Sequence, residues 1–228
     1  MQRMRMISLM AATLVAGMAG AASAAGVLAV TVADMPHKTA IGERYALCVP
    51  TAEGKSAPGE NRRPTIAWTG APKATDSFAV FVMDPDVPAD FTDAGKDGKI
   101  ITEAAARQDF FHYGVVKIPA SETQLVGGAA DEETATGMPL MNDLGANNYV
   151  TPPTAFGGPC PPWNDARLHH YHFIVLALGK DAPVTLPSDQ PETAKQVFDR
   201  LITSEHLLAK GVAIGTYTLN PTLRDAIH

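Results

Sequence analysis

The chain has 228 residues, 46% hydrophobic and 18% charged, enough to bury one sizeable core. Its 19 glycines and 18 prolines follow no period, which excludes a collagen-like repeat, and the apolar content excludes a fully disordered chain. Eighteen basic against 24 acidic side chains leave a net charge of −6; with no basic run, binding of nucleic acid through its phosphates is excluded as well.

Residues 1–24 read as a secretory signal peptide. Arg3 and Arg5 open a basic start, Met6 to Gly20 is apolar, and Ala22-Ser23-Ala24 offers a small-x-small cleavage site. No charge follows Met6 until Asp34, so an uncleaved anchor would be long enough to span, but a run rich in Ala and Gly inserts weakly. No adjacent Arg pair is present, which favours the general export route over the twin-arginine one. Cleavage after Ala24 takes away two Arg and no acid, leaving 16 basic against 24 acidic side chains, or −8. The expectation is one exported domain over residues 25–228, periplasmic or secreted and not integral to a membrane.

Val27 to Val32 is short, apolar and β-branched and predicts a strand, as does Tyr45 to Val49. Residues 51–64 are polar and rich in Pro and Gly, a loop. Thr65 to Trp68 begins another strand, and Ser77 to Met83 reads as a buried one that stops at Asp84-Pro85-Asp86-Val87-Pro88. A short helix is expected over Ile101 to Gln108, then strands over Tyr113 to Ile118 and His170 to Leu178. Between them residues 120–158 form a long polar stretch of the kind that is usually functional. A helix is predicted from Pro191 to Lys210, capped by Ser188 or Asp189 and stopped by Gly211, with Ala194, Val197, Phe198, Leu201 and Leu208 on one face. Val212 to Leu219 closes the chain as a strand. The pattern describes a mostly β domain with a terminal helix beside the sheet.

Three segments carry chemistry. In Asp84-Pro85-Asp86-Val87-Pro88 the prolines fix two carboxylates at a rigid rim, although a plain Asx turn accounts for the same residues. His112 opens a strand beside Phe110, Phe111 and Tyr113, the setting of a ligand-facing or simply half-buried histidine. Phe156 to Pro162 precedes His169-His170-Tyr171-His172, where alternation puts His169 and Tyr171 on one face and His170 and His172 on the other. His-x-His supplies only two metal ligands, with no third at a telling spacing, so neither a metal nor another cofactor is expected. Cys48 and Cys160 either form a disulfide or are two buried thiols. No Gly-x-Ser-x-Gly elbow or phosphate loop occurs.

Asp-Pro-Asp-x-Pro after a buried strand, a His opening the next strand, then Gly-Pro-Cys-Pro-Pro and His-x-Tyr resemble the phosphatidylethanolamine-binding proteins, in particular the bacterial branch called Raf kinase inhibitor-like. Tyr45-Ala46-Leu47-Cys48, Trp68-Thr69-Gly70, Ser204-Glu205-His206-Leu207-Leu208-Ala209 and Gly215-Thr216-Tyr217 extend the resemblance over nearly the whole mature chain. It implies a large central antiparallel β-sheet, a smaller sheet and a C-terminal helix. It also implies a small anion pocket lined by Asp84, His112, His169 and Tyr171 and shaped by Asp86, Pro88, Gly158 and Pro159, and a homodimer formed beside that pocket. Asp84, which would repel phosphate, is expected to orient a histidine or receive a ligand amine. Three departures stand out. His170 replaces the usual Arg, Arg167 replaces a Gly, and residues 89–109 are long enough to act as a lid.

The function expected is non-catalytic binding of phosphate or a phospholipid head group of the phosphorylethanolamine type. The alternative is an interaction protein that inhibits a hydrolase or, less in keeping with an export compartment, a kinase. An enzyme using Asp84, His112 and His169 in acid–base chemistry stands third, with no substrate suggested.

Overall fold

The computed structural model describes residues 25–132, 136–184 and 192–227. In chain order the strands are β1 (Gly26–Val27), β2 (Ala29–Val32), β3 (Thr39–Ala40), β4 (Cys48–Pro50), β5 (Ser56–Pro58), β6 (Ile66–Thr69), β7 (Ser77–Pro88), β8 (Arg107–Pro119), β9 (Gln124–Leu125) and β10 (Met138–Pro139). A short helix α1 (Asp143–Ala146) leads to β11 (His169–Leu178), α2 (Ala194–Ile202), β12 (Leu207–Tyr217) and α3 (Pro221–Ile227). The large sheet runs β1-β12-β11-β7-β8-β10, with β3 also on β12. Its central pairs are antiparallel, and the short β1 and β3 join β12 in parallel. A smaller sheet runs β2-β6-β9, and β4 pairs with β5. The expected mostly β architecture with a large sheet, a smaller sheet and a C-terminal helix is therefore present.

The large sheet is buried on both faces, and period 2 divides its residues between two cores. Val80, Val82, Phe173, Val175 and Ala177 pack with Leu28 and with Ile66, Trp68 and Leu125 of the smaller sheet. Their neighbours Ala79, Phe81, Ile174, Leu176 and Leu178 pack with Ala194, Val197 and Leu201 of α2. Gly114 lets that helix sit close, because a Cβ there would lie 2.9 Å from the Ala194 Cβ.

Several local expectations are corrected. β7 does not stop at Asp84 but runs to Pro88, still paired with β8 through an irregularity between Asp84 and Val87. Residues 101–108 form no helix: Arg107 already belongs to β8, because a paired strand satisfies these backbone groups that a short isolated helix would leave open. Tyr45 closes a 3-10 turn, and the strand after it begins at Cys48. The long terminal helix is only α2. Thr193 caps it in a capping box with Gln196, and Thr203 turns its hydroxyl back to the Asp199 carbonyl oxygen. The chain then enters β12, where Gly211 faces Val175 instead of ending a helix. The proposed caps Ser188 and Asp189, Pro191 and the signal peptide lie outside the described residues. No helix among the described residues is long and apolar enough to cross a membrane. Cys48 and Cys160 are joined in a disulfide across 112 positions of sequence.

Candidate functional site

β7, β8 and β11 meet where their register breaks. Val82 faces Tyr113, but Met83 faces Phe111, so His112 is the extra residue of a β-bulge. Consequently Tyr113 and Phe111, two positions apart, enter opposite cores, whereas regular pleating would put them together. The Phe111 N–H donates to Asp143 Oδ2 at 2.7 Å, which ties α1 to the bulge; burial raises the Asp143 pKa despite that bond.

Asp84, His112, His169 and Tyr171, singled out from sequence, line one cavity of about 520 Å³. All four are buried. His169 Nδ1–H donates to Asp84 Oδ2 at 2.6 Å, and Nε2–H reaches Asp165 Oδ2 at 3.2 Å. Burial alone would lower the His169 pKa, but the Asp165 and Asp84 carboxylates outweigh it and hold the imidazolium to about 9. Arg107 grips Asp165 with both guanidinium nitrogens, at 2.5 and 2.9 Å. Burial pushes the Asp165 pKa up, yet the hydrogen bonds from His169 and Arg107 leave it lowered. Asp84 and His169 of the floor thus continue behind it into Asp165 and Arg107, an alternating chain of charges that sums to zero.

Asp84 also accepts the Asp86 N–H at 2.8 Å and a hydrogen bond from the Tyr171 phenol, whose pKa burial and this carboxylate raise well above 10. The bond of Asp84 to His169 is the contact that the first of its two expected roles requires. His112 donates Nδ1–H to the Gly157 carbonyl at 2.9 Å and meets the Tyr171 and Phe110 rings edge-on. Its Nε2 is buried with no hydrogen-bond partner among the described residues. Burial is the main reason its pKa is lowered, with His169 adding to the effect and Asp84 opposing it. His112 is therefore neutral at neutral pH, and Nε2 is an acceptor.

Asp86, Pro88, Gly158 and Pro159 do not line the cavity. The Asp86 carboxylate turns to His170 Nδ1 at 2.8 Å and Arg167 at 3.3 Å. His170 thus keeps an acidic partner, and Arg167 adds a cation beside it. Gly158 lies so close to the Tyr45 carbonyl oxygen that a Cβ would collide with it, and the Pro159 carbonyl oxygen accepts the N–H groups of Leu47 and Cys48.

Other walls were not anticipated. Phe110, Leu144, Tyr149, Pro161, Pro162 and Trp163 make the cavity largely apolar. Phe91 and Tyr149, 50% and 69% exposed, mark its mouth. Phe91, Ala94 and Gly95 come from the long 89–109 segment, as a lid would require, but that segment is pinned. The buried Asn164 donates to the Asp93 and Lys99 carbonyls and accepts the Gly95 N–H at 2.9 Å, and Ile101 bridges Asp165. The only sequence trace of Asp165 was its place four residues before His169; Arg107 left none.

A family model described as phosphatidylethanolamine-binding protein matches residues 31–218. The Escherichia coli K12 UPF0098 protein YbcL is 37% identical over 125 residues, 55% of this chain and 57% of YbcL, so the match spans little more than half of that relative. A UPF0098 protein of Chlamydia pneumoniae is 25% identical over 173 residues, 76% of this chain and 93% of its own. The crystal structure of E. coli YbcL, described as a new member of the mammalian PEBP family, superposes with a TM-score of 0.60 at 26% identity, covering 84% of this chain and 98% of that one. A Chlamydia trachomatis structure described as a putative PEBP homologue shares the fold, with a TM-score of 0.57 at 21% identity over 85% of this chain and 98% of that one. A match over residues 31–218 takes in every strand from β3 to β12 and the four side chains Asp84, His112, His169 and Tyr171, and on that extent the chain belongs to the phosphatidylethanolamine-binding protein family.

Proposed function

We propose that this protein is a non-catalytic binding protein whose cavity takes a small oxyanion-bearing molecule such as phosphate or phosphorylethanolamine. The observation that carries this reading is His112: a buried ring nitrogen without a partner, aimed into a cavity, is a group that a ligand completes. Family membership supports binding in general. Against catalysis stands the commitment of the surrounding groups. His169 is locked between two carboxylates, Tyr171 is tied to Asp84, and among the described residues neither His112 ring nitrogen is bonded to a serine or cysteine.

The protein acts outside the cytoplasm in this proposal. The Cys48–Cys160 disulfide suits an oxidising compartment, and the signal-peptide pattern of residues 1–24 agrees with it. Isothermal titration with phosphorylethanolamine and with inorganic phosphate, at about pH 6 and about pH 8 on either side of the histidine range, tests the pocket. Heat of binding that disappears in His112→Ala is expected. No heat above dilution for either ligand at either pH rejects the proposal.

A further inference from the structure

An oxyanion is bound by donors, and the donors of this floor are already committed. Both N–H groups of His169 point to carboxylates. Arg107 spends its guanidinium on Asp165 and on the carbonyls of Asp86 and Thr102. The Tyr171 hydroxyl goes to Asp84, and His112 Nδ1–H to Gly157. Among the buried polar atoms of the residues that line the cavity, the one without a partner is His112 Nε2, and it offers a lone pair.

The charges acting on His112 cancel and offer no net positive charge to an anion. Asp84 of β7 and His169 of β11 act with opposite signs, and Asp165 and Arg107 cancel behind them. Tyr171 is neutral, and Asp143 of α1 lies on the Phe111 N–H beyond the bulge. A fully ionised phosphate would enter a charge-neutral floor and meet an acceptor.

Resting on the binding reading above, we propose that the group docking on His112 brings its own proton. The ligand class is a phosphomonoester in its singly protonated form, its P–OH donating to His112 Nε2 and its apolar body lying against Phe91, Phe110, Tyr149 and Trp163. A phosphodiester, as in an intact phospholipid, stays fully ionised in the working pH range and has no P–OH to offer. The site therefore selects a monoester over a diester, and a ligand with an apolar substituent over a bare one.

The proton can be counted. A phosphomonoester loses its second proton near pH 6, so above that value the free ligand is mostly dianion and binding draws a proton from solution. Titration of phenyl phosphate at about pH 7.5, in buffers of different ionisation enthalpy, should show uptake of about one proton per ligand bound. Uptake should fall toward zero at about pH 5, where the free ester already carries the proton. Affinity should weaken about tenfold per pH unit above pH 7, because only the protonated fraction binds.

Methyl phenyl phosphate, the diester of the same aromatic body, should bind at least about tenfold more weakly, the order of one lost hydrogen bond to a buried group. Methyl phosphate should also bind more weakly than phenyl phosphate, and inorganic phosphate separates a free anion from an ester. In His112→Gln, whose amide donates without titrating, proton uptake should vanish and the affinity lose its pH dependence; its thermal unfolding reports whether the fold survives. Phenyl phosphate binding without proton uptake, or a diester binding as tightly as the monoester, overturns the inference while leaving the binding reading standing. No binding of any of the four compounds overturns both.

Discussion

His169 meets a carboxylate at each ring nitrogen, and its pKa near 9 exceeds the 6.5 of a free histidine. The folded state therefore holds this proton more tightly than the unfolded one. The resulting stability is complete below pH 6.5 and is lost as pH rises toward 9, a change on the order of 3 kcal/mol. His112 works in the opposite sense. Burial depresses its pKa, so below pH 6.5 the unfolded chain takes up a proton that the folded one refuses, and stability falls. Urea unfolding across pH 5 to 9 should accordingly show a maximum near 6.5, and His169→Gln should remove the decline on the alkaline side. His169 and Tyr171 were readable beforehand as a pair because alternation along one strand gives them a common face, while Asp84 and His112 were readable only through the resemblance of their motifs, since the register breaks at both. Asp165 and Arg107 were not: they meet across 58 positions, and no local period signals a pairing of that length.

Among the elements, β8 shows where pattern reading succeeds and fails. Its apolar run announced a strand, but the bulge at His112 depends on how β7 lies beside it, and nothing in either run alone reveals a two-against-one count. For the expected helix over 191–210 the ambiguity is one of period. Leu208 lies seven residues after Leu201, a spacing that suits a helix face, while the alternation from Leu207 onward also suits a strand. Pairing with β11 over the length of β12 decides for the strand. What remains, α2, lies across the large sheet at Gly114. Gly114→Val would push a branched side chain into Ala194, Leu140 and Phe81, whose nearest atoms already lie 2.9 to 3.4 Å from a Cβ at that position. A loss of about 1–3 kcal/mol is expected in urea unfolding.

For the molecule as a whole, the two-sided burial of the large sheet explains why its strands read as continuous apolar runs and why a mostly β domain was recognisable without its topology. The parallel attachment of β1 and β3 to β12 was not legible, since two-residue strands carry no period. The same is true of the pinned 89–109 segment, which is held by the buried amide of Asn164 and by the bridge from Ile101 to Asp165. The disulfide acts on this scale as well, for it joins β4 to the stretch before β11. A double Cys48→Ala/Cys160→Ala variant should lose roughly 2–4 kcal/mol against urea and bind phenyl phosphate less tightly than the parent. The reason for the second effect is the place of Cys160, which lines the cavity immediately before Pro161, Pro162 and Trp163. If the protein is exported and binds as proposed above, then, because the bond that holds this side of the cavity forms only where thiols are oxidised, a newly made chain would bind poorly until it had left the reducing interior. Maturation of the binding site would then follow the itinerary of the protein, with capture of its small molecule deferred until arrival.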